Sequence, residues 1–181
     1  MLLYYNLDLL RNEKNNHEVY YRTDTHWTDY GAYIYIKDLI NNIYNKKIYE
    51  NENILEKYIN SYGMDLHNFF GVSFKIKDTK TTVNYKNKVD IKPKKIIKPY
   101  GYIEIYDNNN YKLDETILII GDSFTNNSTK FLTSIYKKTI RIYLNDTEYD
   151  SHILDEYKVN KIFYIRNERF TLDSLGFEFV K

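Results

Sequence analysis

The chain has 181 residues, of which 43% are hydrophobic and 28% charged, proportions close to the average of globular domains and unlike those of disordered segments. Lysine and arginine number 26 against 25 aspartates and glutamates, so the net charge of +1 gives no electrostatic drive toward nucleic acid. The sequence has no cysteine, which excludes disulfides, thiolate catalysis and cysteine-based metal sites, and no stretch approaches the roughly 18 to 20 apolar residues of a membrane-spanning helix.

The N-terminus is predicted to form a short strand. Residues 2–10 are an apolar run that contains Asp8. The run lacks the basic segment and the small-residue cleavage site of a signal peptide. We therefore interpret it as a strand followed by a polar turn over 11–18.

A side-chain-presenting loop and an amphipathic helix come next. Residues 19–27 are too short and, after Arg22, too polar for a core element. Thr28 can cap a helix, and apolar residues then recur at three- and four-residue spacing: Ala32, Tyr35, Ile36, Leu39, Ile40 and Ile43. This spacing predicts a helix over 28–46.

The middle of the chain changes period. A second helix is predicted over 52–61 and a further turn over 64–71. Over 72–112 the apolar residues alternate, and both prolines lie in this segment, which predicts a β-rich insertion. Its ten lysines face only four acidic residues. We favour a solvated edge that resists aggregation, with an anion-binding face as the alternative.

The last third alternates strands and helices. Strands are predicted over 116–120, 140–144 and 161–165, and helices over 124–137 and 147–158. The first of these strands is continuously apolar, which is typical of a strand buried on both faces of a parallel sheet. The alternation predicts an α/β fold with a mostly parallel sheet flanked by helices.

Ser123, in the string GDS, is a candidate nucleophile. It follows a predicted buried strand and enters a helix, where open α/β sheets place their active sites. Gly121 permits a tight turn, and the positive end of the helix would favour an oxyanion. The alternative is that Asp122 or Ser123 merely caps the helix. Both interpretations stay open at this point.

Asp24 and His26 are candidate partners for such a serine. A serine hydroxyl needs an imidazole to take its proton, and the imidazole needs a carboxylate to fix its tautomer. Alternate residues on an extended loop can point to one pocket. Metal binding is the rival explanation, but the four histidines form no HxxxH pair and no carboxylate cluster accompanies His26, so no metal site is expected.

Three strings carry a resemblance to a known family. YYRTDTHWTDYGAY at 20–33 precedes ILIIGDSF at 117–124 and FYIRNERF at 163–170. In this order they resemble the SGNH hydrolase-like domain of the AlgJ/AlgX alginate O-acetyltransferase family. GMDLHNFFG at 63–71 resembles the family's Asp-Leu-containing link. The resemblance implies one SGNH-like domain over 1–181.

The resemblance also implies a mechanism and its residues. By position, Asp24 would be the orienter, His26 the general base and Ser123 the residue that becomes acetylated, with no cofactor. The implied activity is O-acetyl transfer to a cell-surface or exported polysaccharide. A membrane-bound O-acyltransferase-type partner would supply the acetyl groups, and the location would be periplasmic or in the cell envelope. No nucleic-acid partner is expected.

Only 23 residues precede Asp24, fewer than in the family, so the chain resembles the C-terminal portion of the family domain. The short N-terminal part motivates one alternative to the transferase, a catalytically idle polysaccharide-binding remnant. A carbohydrate acetyl esterase is the other alternative, because the same triad serves either direction of acetyl transfer. Trp27 is a candidate for stacking on a sugar ring, with a packing anchor as the alternative. Asn126 is a candidate for binding an oxyanion, although a polar residue on a first helical turn usually faces water.

Overall fold

A computed structural model of the chain describes residues 4–50, 53–61, 65–71, 76–85, 91–98, 101–143 and 152–167. The chain divides into two compact units, Met1–Lys88 and Val89–Lys181. One SGNH-like domain over 1–181 stays a prediction. Among the helices in these ranges, none has the length and apolar character needed to cross a membrane.

The first unit combines helices with a two-stranded antiparallel sheet. Asn53 pairs with Asn84 at one end of the sheet and Ser61 pairs with Ile76 at the other. In chain order the described elements are α1 (Leu7–Glu13), α2 (Asp29–Tyr44), β1 (Asn53–Ser61), α3 (Asp65–Phe70) and β2 (Ile76–Asn84).

The strand predicted over 2–10 is wrong, because helix α1 begins at Leu7. Asn6 caps this helix, since its side chain accepts the Leu9 N–H at 3.1 Å, and Asp8 in the first turn complements the helix dipole. Residues 2 and 3 of the prediction lie outside the described residues.

The helix predicted over 52–61 is also wrong, because its described part is strand β1. Pairing with β2 along nine residues satisfies the backbone of a short segment whose apolar pattern fits either element. Residue 52 lies outside the described residues. The turn predicted over 64–71 contains the short helix α3.

The helix predicted over 28–46 is confirmed as α2. The Thr28 hydroxyl accepts the Gly31 N–H at 3.1 Å, and Asn45 ends the helix in the left-handed region at φ 50°. The predicted apolar stripe packs inward, with four of its members buried: Ala32, Ile36, Leu39 and Ile40.

The second unit contains a mixed five-stranded sheet in the order β3-β4-β6-β5-β7. β5 runs parallel to β6 and β7, whereas β4 is antiparallel to both β3 and β6. The described elements are β3 (Lys94–Lys98), β4 (Gly101–Asp107), β5 (Leu113–Gly121), α4 (Thr125–Thr133), β6 (Tyr136–Tyr143), α5 (His152–Glu156) and β7 (Lys161–Ile165).

The predicted α/β pattern of this unit is confirmed, with three adjustments. The sheet is mixed, because β3 and β4 add antiparallel pairing on one side of the parallel strands. Helix α4 ends at Thr133, since β6 already begins at Tyr136. Helix α5 is described only from His152, and residues 144–151 lie outside the described residues. Strands β2, β3 and β4 lie in the segment 72–112 and divide between the two sheets.

Strand β5 is the centre of the second unit's core. Ile117, Leu118 and Ile119 are 0% exposed, and Ile120 is 1% exposed. A strand covered on both faces leaves only its ends accessible, so the residues that follow Ile120 are those that this strand can offer to a ligand.

Candidate active site

The DTH motif lies in a loop that closes on itself between α1 and α2. Tyr20 and Trp27 form an isolated antiparallel bridge, and the Tyr21 N–H donates to the His26 carbonyl at 3.2 Å. The loop predicted over 19–27 is confirmed.

Gly31 allows this loop to pack tightly on α2. A Cβ at Gly31 would lie 2.1 Å from the Val19 carbonyl oxygen and 3.2 Å from Trp27 Cβ. The first distance is far inside van der Waals contact, so any other residue would push the loop away from the helix. Glycine lowers helix propensity, and here the close approach explains its presence.

Asp24 and His26 form a hydrogen-bonded pair, so the structure brings these two predicted residues together. Asp24 Oδ1 lies 2.5 Å from His26 Nδ1 and also accepts the backbone N–H of His26 at 2.9 Å. With Asp24 ionised, Nδ1 carries the proton and Nε2 is the basic nitrogen. The Asp24 and His26 side chains are 15% and 27% exposed, so the pair is largely buried but within reach of a ligand.

Asp65, at the start of α3, is a second carboxylate that contacts the loop. Its Oδ1 accepts the Thr25 N–H at 2.8 Å, and its Oδ2 accepts the Thr25 hydroxyl. Oδ2 also lies 3.9 Å from His26 Nδ1. Sequence reasoning did not assign a role to this residue. Its signal was the GMDLHNFFG string, in which Asp65 is the sole carboxylate.

Asp78, on β2, is a third carboxylate and holds the first half of the loop. It accepts the N–H groups of Arg22 at 3.2 Å and Thr23 at 3.0 Å, and the Thr23 hydroxyl at 2.5 Å. Burial at 1% exposure would raise the pKa of this carboxyl, but the hydrogen bonds from Thr23, Thr79 and Arg22 outweigh it and lower the pKa. Its position in the sequence gave no signal of this contact.

The carboxylates make the surroundings of the loop negative. Burial raises the pKa of the Tyr21 phenol to about 12, and the charges of Asp29, Asp24 and Asp78 add to this effect. A negative field stabilises an imidazolium, which is the form that a general base reaches after taking a proton.

The same atoms also bear on metal binding. Asp24, His26 and Asp65 each offer a ligand atom, and these atoms lie within 4.8 Å of one another. The expectation of no metal site assumed that no carboxylate cluster accompanies His26, and this assumption is wrong. Two carboxylates and an imidazole suit a divalent cation in donor type, but exposed acidic groups commonly cluster without one, so the cluster alone assigns no metal.

Ser123 lies in the turn between β5 and α4 of the second unit, as its strand-to-helix position predicted. The Asp122 carbonyl accepts the Thr125 N–H at 3.0 Å, and the Ser123 carbonyl accepts the Asn126 N–H at 3.1 Å. Ser123 is half-buried. These bonds place it directly before the positive end of α4.

Asp122 anchors this turn from both sides. Its Oδ1 accepts the Phe124 N–H at 2.9 Å, and its Oδ2 accepts the Asn167 N–H at 3.0 Å, beyond the end of β7. Asp122 therefore binds the N–H of Phe124, the residue directly before α4, and this bond does not cap the first turn of the helix.

Gly121 is required by a close approach of β7. A Cβ there would lie 1.9 Å from the Ile165 carbonyl oxygen and 2.6 Å from Thr125 Cγ2. Backbone atoms on a paired strand cannot yield by that amount without moving the sheet. The glycine before Asp122 and Ser123 thus has a packing reason.

Asn126, the predicted oxyanion residue, is exposed, and its Oδ1 accepts a hydrogen bond from Arg141 on β6. Arg141 also donates to Thr125 Oγ1 at 2.9 Å and forms an ion pair with Glu104 on β4 at 2.9 Å. The charged side chains are 8% and 7% exposed. A buried ionic network therefore supports the first turn of α4. Sequence reasoning missed both charged residues.

A small cavity of about 180 Å³ adjoins this network in the second unit. Its lining includes Tyr106, Asn126, Lys130 and Arg141. The Tyr106 hydroxyl donates to Glu104 at 2.8 Å, so the polar groups on this wall belong largely to the ionic network.

Trp27 is 5% exposed, and its ring packs at a tilt on Tyr35 with the centroids 5.7 Å apart. A ring that stacks on a sugar must expose one face. The burial of Trp27 therefore favours the packing alternative.

The sequence matches a family model over residues 5–157, described as the SGNH hydrolase-like domain of acetyltransferase AlgX. The chain belongs to this family. The matched range contains Asp24, His26 and Ser123. No curated protein matches the chain.

Solved structures of low identity share the SGNH-like α/β fold. PatB1 from Bacillus cereus has a TM-score of 0.63 at 14% identity, covering 87% of this chain and 65% of PatB1. A DHHW family protein from Eubacterium siraeum has a TM-score of 0.64 at 14% identity, covering 88% of this chain and 62% of that protein. The chain thus spans less than two thirds of the length of either protein.

Proposed function

We propose that the chain is an O-acetyltransferase that transfers an acetyl group to a hydroxyl of a cell-surface or exported polysaccharide, using Ser123, His26 and Asp24. The observation that carries the proposal is the 2.5 Å contact between Asp24 Oδ1 and His26 Nδ1 in a chain that belongs to an acetyltransferase family.

The reaction has two matched halves. His26 Nε2 removes the Ser123 hydroxyl proton while Oγ attacks the acetyl carbonyl of the donor. The tetrahedral intermediate collapses to acetyl-Ser123, and the donor's leaving group takes the proton from His26. The acceptor hydroxyl then gives its proton to His26 and attacks the acetyl carbonyl. The second tetrahedral intermediate collapses, the Ser123 Oγ–acetyl bond breaks, and Oγ takes the proton from His26. These steps need no cofactor.

Three features of the protein support these steps. Asp24 fixes the imidazole and stabilises its charged form. The N-terminal end of α4 favours the negative oxygen of each tetrahedral intermediate. Asn126, on the first turn of α4, is the candidate side-chain donor of a hydrogen bond to the same oxygen.

The wider assignments rest on family membership. The acceptor is a polysaccharide, the acetyl donor is a membrane-bound O-acyltransferase-type protein, and the site of action is the periplasm or cell envelope.

A chromogenic acetate ester tests the catalytic residues. We expect Ser123→Ala, His26→Gln and Asp24→Asn each to lower kcat by about a thousandfold or more. Matched controls are His152→Gln and Asp114→Asn, which lie at exposed positions and should keep wild-type rates. Mass spectrometry of the quenched enzyme should find one acetyl group on Ser123. Turnover that survives Ser123→Ala would contradict the proposal.

A carbohydrate acetyl esterase is the second candidate, because the partly exposed Asp24–His26 pair leaves water access to the base. Acetate released in water, measured against acetyl groups delivered to an added oligosaccharide, separates the two activities. A chain that forms no acetyl-Ser123 and turns over no ester would instead support the idle remnant.

A further inference from the structure

The contacts of Asp65 indicate a role beyond packing. We propose that Asp65 is a positioning residue that, through Thr25, holds His26 against Asp24. The proposal rests on the proposed function of His26 as general base.

Asp65 binds Thr25, the residue between Asp24 and His26. Thr25 donates both its backbone N–H, at 2.8 Å, and its hydroxyl to the Asp65 carboxylate. Because Thr25 separates Asp24 from His26 in the chain, fixing its backbone fixes the direction in which both neighbours project. The two bonds use both oxygens of Asp65, so they restrain both the backbone and the side chain of Thr25.

Helix α3 braces the loop at a second point. The Leu66 N–H donates to the Thr23 carbonyl at 3.2 Å. The first turn of α3 therefore contacts alternate residues, Thr23 and Thr25, whose neighbour Asp24 lies between them. Two contacts restrain rotation of the loop as well as its translation.

Asp65 also adds a charge beside the imidazole. Its Oδ2 lies 3.9 Å from His26 Nδ1, too far for a hydrogen bond but close enough for attraction to an imidazolium. Asp24, at 2.5 Å, remains the hydrogen-bond partner. The cation formed during catalysis would thus lie beside two carboxylates, and the side chains of His26 and Asp65 are similarly exposed, at 27% and 29%.

The main test variant is Asp65→Asn, measured for kcat and KM with the chromogenic ester and for the His26 Nδ1–H signal in proton NMR spectra. We expect kcat to fall about tenfold with KM within about twofold, because a hydrogen bond to a charged group is lost. We also expect the Nδ1–H signal, identified by its disappearance in His26→Gln, to exchange faster with water. Asp8→Asn is the matched control, since its carboxylate is 84% exposed, and it should change neither readout.

Thr25 variants separate the effect of the Thr25–Asp65 hydrogen bonds from the effect of the Asp65 charge. Thr25→Val removes the hydroxyl donor and keeps the Asp65 charge, so it should reproduce part of the loss in both readouts. Thr25→Ser restores the hydroxyl and should recover the signal that Thr25→Val loses.

The outcomes distinguish this proposal from the proposed function. An unchanged kcat and Nδ1–H signal in Asp65→Asn would overturn the role of Asp65, as would a change in KM alone. A chain without ester turnover, in which Asp65→Asn still alters the Nδ1–H signal, would support the positioning role and count against the proposed function.

Discussion

Arg141→Met is the sharpest test of the network beneath α4. Methionine keeps much of the side-chain length but removes the bonds to Glu104 and Thr125, each 2.9 Å long, and the bond to Asn126. Glu104 would then stay buried, with its side chain 7% exposed, and would keep its contacts with Tyr106 and Lys95.

The expected cost follows from this burial. Removing one partner of a buried ion pair costs about 3–5 kcal/mol, and the remaining contacts of Glu104 place this case near about 3 kcal/mol. Amide hydrogen exchange of peptides from the second unit measures the effect, since about 3 kcal/mol corresponds to roughly hundredfold faster exchange in β5 and β6. Arg141→Met combined with Glu104→Leu should recover part of the protection, because no charge is then left buried.

A surface pair supplies the control. Lys137 lies 2.7 Å from Asp114, and their side chains are 51% and 65% exposed. Lys137→Met should therefore leave exchange unchanged. If Arg141→Met accelerates exchange no more than Lys137→Met does, the reasoning from burial is refuted.

Two further predictions concern the turn and the loop. Gly121→Ala should destabilise the second unit by about 3 kcal/mol or more, as measured by thermal unfolding, because its Cβ meets the Ile165 carbonyl at 1.9 Å. Because the pKa of Asp78 is lowered in the folded state, its carboxylate contributes fully to the stability of the loop above about pH 4. This contribution is lost as the pH falls through the pKa of Asp78 in the folded state. Asp78→Asn should therefore weaken the acid dependence of loop order, measured by NMR.

Much of the fold could be predicted from apolar spacing alone. The apolar patterns of α2, β5 and β7 each fit only one kind of element, a helix for α2 and a strand for β5 and β7. Strand β1 could not be predicted, because its apolar pattern fits either a helix or a strand. Pairing with β2 is what makes this segment a strand. Helix α1 depends on the Asn6 cap, a local signal that the apolar run concealed.

The site divides in the same way. Asp24 and His26 are two residues apart, so their contact is local and the sequence could predict it. Asp65 and Asp78 contact the loop from 40 to 56 residues away, through pairings that only the fold creates. Arg141 and Glu104 meet across β6 and β4 for the same reason.

Trp27 gives the protein a built-in optical reporter. It is the sole tryptophan of the chain, and it lies buried next to the DTH motif with Tyr35 close enough to transfer excitation to its indole. Fluorescence excited at wavelengths longer than those that tyrosine absorbs therefore comes from the loop that carries the DTH motif. A red shift in the Trp27 emission would record water entering that loop. Val89–Lys181 would not contribute to this signal, because it contains no tryptophan.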